Sequence, residues 1–186
     1  MFKKSTLVLI LTLILGISLI YQGIREPTIL TSSPSSSLQI LGEATPSAQL
    51  VSVTRVVDGD TLEVSISGGK KTVRLIGINT PETVDPRRPI QCFGNEASNE
   101  TKRLALGRQV SLQKDVSETD KFGRLLRFVY IKLDDGNFLF LNDYLVRSGF
   151  AQVSTYPPDV KLVSRFKEAE AEAQAAKKGL WSACYY

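Results

Sequence analysis

Histidine is absent from all 186 residues of the chain. That excludes Ser-His-Asp and Cys-His catalysis, histidine general bases and the histidine-ligated zinc sites. Cysteine is nearly absent as well. Cys92 and Cys184 are the only two, too few and too far apart for a zinc cluster. Charge of either sign is not in great excess: the net charge of +4 permits an anionic partner without demanding one. Any hydrolytic chemistry must therefore run on carboxylates, arginines and lysines, together with an oxygen-ligated metal.

One long apolar run is present. Met1-Phe2-Lys3-Lys4 precedes "STLVLILTLILGISLIY", about sixteen uncharged, mostly apolar residues, so that residues 1–21 read as a secretory signal or a membrane anchor. No small-x-small cleavage site stands in the following "SLIYQG", which favours retention, and Lys3 and Lys4 place the remainder on the outer side of the membrane. Residues 22–48 are rich in Ser, Thr and Pro without a hydrophobic period and read as a flexible tether, spanning roughly 30 Å as a random coil. The folded part is expected over 49–186. Outside the cytoplasm the two cysteines are most simply one disulfide, worth about 4–5 kcal/mol at most by closing a loop of about 90 residues. Two buried free thiols are the alternative.

Within 49–186, "VSVTRVV", "TLEVSIS" and "KTVRLIGI" are expected strands, with "SGGK" as a hairpin turn between the last two. "GNEASNETKRLALG" is an expected helix stopped by Gly107. "QVSLQKD" and "GRLLRFVYIKL" add two strands, and "FLNDYLVRSGFA" a short helix. "VKLVSRFKEAEAEAQAAKKG" is the strongest helix of the chain, beginning after Pro-Pro-Asp and ending at Gly179. Five strands and three helices in the order βββ-α-ββ-αα suit an α+β fold that is mainly barrel, the outline of an OB-fold, against other α+β meanders.

Polar clusters interrupt this pattern: Asp58-Gly59-Asp60-Thr61; Arg74 and Asn79-Thr80-Pro81-Glu82 around the apolar "LIGI"; "DPRRP" over 85–89; and "TDKFGR" over 119–124. Each alone is an ordinary turn or charged loop. Together they contain what attack on a phosphodiester requires without histidine. Arginines bind phosphate oxygens bidentately, a carboxylate orients or deprotonates water, and oxygen donors hold a hard cation.

The segments "VVDGDT", "VRLIGINTPET", "FGNEA", "TDKFGR" and "GLW" resemble the staphylococcal nuclease family in order and interval, over nearly the whole folded part. The resemblance implies an OB-fold with three helices and a calcium-dependent nuclease acting on DNA and RNA, single strands favoured. It implies that Arg74, Glu82 and Arg124 are catalytic, with Glu82 serving the attacking water as base or orienter. Asp60, Asn79 and the Thr80 carbonyl would hold Ca2+. Lys121, Arg87, Arg88 and Tyr156 would form the substrate rim. Two positions depart from the family pattern. Asn79 stands where the family's best-known member has a second calcium aspartate, so weaker metal binding is expected in the absence of substrate. Phe122 stands where it has a phosphate-seating tyrosine. The expected protein is monomeric and extracytoplasmic, secreted or held at the membrane by its N-terminus. A non-catalytic OB module binding single-stranded nucleic acid is the alternative, favoured slightly by Asn79 and opposed by Glu82, which a pure binder does not need.

Overall fold

The computed structural model describes residues 49–87 and 89–184. The expected anchor (1–21), the tether (22–48) and Arg88 lie outside the described residues. Among the described residues no helix is long and apolar enough to cross a membrane.

Strand β1 (Val51–Asp58) buries Val51, Val53 and Val56 and turns Ser52, Thr54 and Arg55 outward. This alternation suits a sheet with one dry face. Its register against β2 (Thr61–Ile66) slips between Val53 and Arg55 and again between Val56 and Asp58. Irregularities of this kind sharpen local twist and curl a strand, as a small barrel requires. β2 returns along β3 (Gly69–Leu75), pairing Thr61 with Arg74. Helix α1 (Gly94–Ala105) crosses to β5 (Gln109–Gln113), which pairs with β1 and with β6 (Leu125–Lys132). Parallel pairing of β6 with β3, in the register Val73–Leu125, Arg74–Leu126 and Leu75–Arg127, closes the five strands into a barrel. This is the OB-fold expected from the sequence.

The third strand is shorter than its sequence pattern suggests. "KTVRLIGI" reads as continuous, yet β3 ends at Leu75, and Ile78–Asn79 form a separate two-residue strand, β4. Gly77 breaks it, with φ of +79° and the Phe166 ring against its α-carbon, so that a side chain would meet the ring at 2.5 Å. Asn142, fully buried, holds the break open. Its Nδ2 donates to the Ile76 carbonyl at 2.9 Å and its Oδ1 accepts the Val129 N–H at 2.9 Å, tying the break to β6.

Short β7 (Phe138–Phe140) leads into α2 (Leu141–Arg147), and β8 (Gln152–Val153) pairs with β4. Helix α3 (Val163–Ala175) buries Phe166, Ala169 and Ala173. Phe166 reaches Phe140 and Phe128 at ring separations of 5.9 and 6.2 Å, and Phe140 stacks on Tyr130 at 4.5 Å. Burial of such rings dominates the stability of a core this size. A last turn, α4 (Leu180–Ala183), carries Cys184, which is joined to Cys92 by a disulfide. The loop it closes spans a sequence separation of 92 residues, a constraint on the unfolded chain of about 4–5 kcal/mol at most.

Two loops are clasped to each other beside the barrel. Asp159 accepts the N–H groups of Val116 and Ser117 at 3.0 and 2.8 Å, while Asp115 accepts that of Lys161 at 3.0 Å. Burial pushes the Asp159 carboxyl up, but the hydrogen bonds from Ser117 and Val116 outweigh it and leave the group below the usual aspartate range. A carboxyl lowered on folding stabilises above its unfolded pKa, about 3.9, and that stabilisation is lost as pH falls through the folded value. Asp159→Ala is expected to cost about 2 kcal/mol at neutral pH. Urea unfolding at stepwise lower pH will show this difference shrinking below about pH 4; a pH-independent difference would assign the cost to packing instead.

Candidate active site

The barrel's register collects chemistry at one end. Thr61 sits opposite Arg74, and the Asp60 carbonyl accepts the Leu75 N–H at 3.0 Å, so the Asp58–Asp60 turn abuts the end of β3. The β3–β6 pairing sets Arg74 beside Leu126, two residues beyond Arg124. A cleft of about 930 Å³ opens here, lined by Asp58, Asp60, Arg74, Asn79, Thr80, Glu82, Asp120, Lys121, Phe122, Arg124 and Tyr156, among others.

Arg74 is pinned from several sides. Its Nη1 donates to the carbonyls of Leu75 and Ile78 at 2.6 and 2.9 Å. Its Nη2 meets Asp60 Oδ2 at 3.0 Å and Asn79 Oδ1 at 3.1 Å. Strand termination at Leu75 makes this possible, because the turn through Gly77 brings the Ile78 carbonyl back onto the guanidinium. Arg124 is held differently. Its Nε donates to Asp120 Oδ2 at 2.7 Å, and its guanidinium lies 5.4 Å from the Phe122 ring centre. Its Nη groups have no hydrogen-bond partner among the described residues, and the residue lines the cleft. Asp120 also accepts the N–H groups of Phe122 and Arg124, closing the turn. Against the upward pull of burial, Arg124 and these N–H groups hold the Asp120 carboxyl below the usual range.

Asp60, only 5% exposed, accepts the Thr80 N–H at 2.9 Å on the oxygen that also meets Arg74. The neighbouring turn can approach so closely because residue 59 is glycine. A side chain there would come within 2.7 Å of the Thr80 hydroxyl. Glu82 Oε1 accepts the Val84 N–H at 2.7 Å. Burial acts to raise the Glu82 carboxyl, but the Val84 N–H, a hydrogen bond shared with Asp58, and further N–H groups hold it below the usual range. Asp58 moves the other way. Burial is the largest influence and pushes it up, Thr83 and Gly59 pull it down, and Asp60 and Glu82 add to the rise. The neighbouring carboxyls thus divide one burden, with Glu82 left ionised.

The donor set suits a hard divalent cation. The Asp60 carboxylate, the Asn79 amide oxygen and the Thr80 carbonyl are all oxygen donors, and the Thr80 hydroxyl is buried without a hydrogen-bond partner. Among the described residues there is no group of three acidic or cysteine side chains poised for a metal. Such a site would therefore rest on one carboxylate helped by neutral oxygens.

Of the residues singled out from the sequence, Arg74, Glu82, Arg124, Asp60, Asn79, Thr80, Lys121 and Tyr156 line this single cleft. Tyr156 and Phe122 are 76% and 71% exposed, and the Lys121 ammonium lies 5.1 Å from the Phe122 ring centre. Arg87 is not among the lining residues. It is exposed and bound in a fork to Asp85 at 2.9 and 3.0 Å. Residues that the sequence did not mark also reach the site: Thr83 donates to Asp58 at 2.7 Å, and Gln91 lines the cleft. Only adjacency to Glu82 and to Cys92 hinted at them.

Comparison with known proteins agrees with this geometry. A family model described as staphylococcal nuclease homologue matches residues 72–183. The Staphylococcus hyicus thermonuclease is 37% identical over 167 residues, covering 90% of this chain and 96% of that protein. The Staphylococcus intermedius thermonuclease is 40% identical over 129 residues, 69% of this chain and 74% of that protein. The SPbeta prophage-derived endonuclease YokF of Bacillus subtilis is 39% identical over 138 residues, 72% of this chain and 45% of that protein. With the barrel closed as described and its histidine-free cleft in place, the chain belongs to the staphylococcal nuclease family and is a nuclease.

Proposed function

We propose that this nuclease hydrolyses phosphodiester bonds of DNA and RNA with the help of Ca2+, outside the cytoplasm, using Arg74, Glu82 and Arg124. The observation that carries the proposal is the convergence of Arg74 and Glu82, neighbours in one segment, with the sequence-distant Arg124 on one cleft beside a shielded carboxylate. The open Nη groups of Arg124 bind the equatorial oxygens of the scissile phosphate and offset charge that grows there. Arg74, fixed by its carbonyl and carboxylate partners, adds a second positive charge whose position needs no reorganisation during reaction. Glu82, kept ionised, accepts a hydrogen bond from the attacking water or takes its proton. A calcium ion, when held by Asp60, Asn79 and the Thr80 carbonyl, supplies charge neutralisation at the phosphate.

Exposed Phe122 and Tyr156 offer flat faces for unstacked bases, with Lys121 as a nearby cation, which favours single strands over duplex. Arg87 contributes little here because Asp85 already neutralises it. The disulfide suits an oxidising compartment, and the N-terminal apolar run supports export or tethering there. The cleft is complete within one chain, consistent with a monomer. The non-catalytic alternative has no use for an ionised Glu82 lining a cleft that also holds two arginines.

Purified protein is expected to cleave single-stranded DNA at alkaline pH with calcium and not with chelator. Binding without cleavage under both conditions would defeat the catalytic assignment. Glu82→Gln and Arg124→Ala should each reduce kcat by at least about a hundredfold with an unchanged circular dichroism spectrum. Asn79→Asp restores a negative charge to the oxygen set, so calorimetry without substrate should show calcium binding about tenfold tighter. Equal affinity would remove Asn79 from the cation site.

A further inference from the structure

The backbone of Glu82 is clasped from both directions by one residue. Its N–H donates to Gln91 Oε1 at 2.9 Å, and its carbonyl accepts the Gln91 N–H at 3.0 Å. Of the described residues between them, Val84 and Ile90 are more than half exposed. A loop with so little buried apolar surface does not hold its own ends together. The paired hydrogen bonds at its neck do so.

Gln91 is itself anchored to rigid parts. Its carbonyl accepts the N–H of Gly94, the first residue of α1, at 3.0 Å. The next residue, Cys92, is bonded to Cys184, and Phe93 stacks on Phe150 at 5.6 Å. On the far side, the Cys184 N–H donates to Leu180, whose own N–H donates to Gly149, so the anchor runs to the end of α2 and the C-terminal turn. A second tie holds the loop from the barrel side, through Thr83 Oγ1 to Asp58.

The geometry points to Gln91 as the positioning residue for Glu82: its side-chain oxygen and backbone N–H fix the peptide that aims the carboxylate, and the Cys92–Cys184 bond holds Gln91 in place. This inference rests on the role given to Glu82 above. Gln91 need not touch substrate to matter. A misplacement of about 1 Å at a reacting group costs up to about a hundredfold in rate. The clasp needs only an acceptor at the Gln91 side chain, because the Glu82 N–H is the donor. A carboxylate at position 91 therefore serves, whereas a thioether, only a weak acceptor, serves poorly.

The test is steady-state cleavage of single-stranded DNA by the full chain carrying Gln91→Met, Gln91→Glu, Glu82→Gln, or Glu82→Gln with Gln91→Met. Gln91→Met is expected to lower kcat by about tenfold or more, with KM changed less than about twofold. Gln91→Glu should stay within about threefold of the parent. In the Glu82→Gln background, Gln91→Met should produce no further loss, since a group that acts by aiming Glu82 has nothing left to aim. A parental kcat for Gln91→Met, or a full additional loss on top of Glu82→Gln, overturns the inference. The role of Glu82 itself fails separately, if Glu82→Gln alone keeps the parental rate.

Discussion

Parallel pairing of β3 with β6 is the constraint on which the site depends. Without it, the chain would hold a curled antiparallel ribbon with Arg74 at one margin and the Asp120–Arg124 turn at another. With it, the end of β3 and the start of β6 lie side by side, and both guanidinium groups face one cleft. Closure also removes the exposed strand edges that a five-stranded sheet would otherwise present. Its cost in loop entropy is met by apolar burial: Val73 and Val129 are fully buried, and Leu75 nearly so.

Electrostatics inside the cleft follow from how each charge is held. Arg74 spends its donors on fixed carbonyls, on Asp60 and on Asn79, and so behaves as a stationary charge. Arg124 has one hydrogen-bonded carboxylate partner, a contact with the Phe122 ring and unpaired Nη donors, and so is available to an incoming anion. Burial pushes the Asp58 carboxyl up, while at Glu82 burial is outweighed by the Val84 N–H and its neighbours, which hold the carboxyl down. Preorganised charge of this kind acts without the reorganisation that water would require.

Much of the fold was legible because its signals are local. The alternation in "VSVTRVV", the turn residues of "SGGK" and the Ala/Glu/Lys run before Gly179 announced β1, the β2–β3 hairpin and α3. The break at Gly77 was not legible, since "RLIGI" reads smoothly as strand. Its cause is Phe166 and Asn142, which arrive from helices far along the chain. Arg87 shows a different limit: a basic loop reads as a rim, and the pairing of its guanidinium with Asp85 two residues earlier is visible only in the structure.

The sequence by itself determined the kind of chemistry: with no histidine, and with carboxylates, arginines and an amide at the turn positions, only charge and oxygen ligation were left to work with. It also marked the five barrel strands and the three longer helices, because periodicity and turn preference act over a few residues. Tertiary structure alone decided that Arg74 would be locked and Arg124 left open, and that Gln91 would grip the Glu82 peptide. Those outcomes hang on hydrogen bonds and registers between segments distant in the chain, and no local pattern of residues specifies which distant partner a side chain will find.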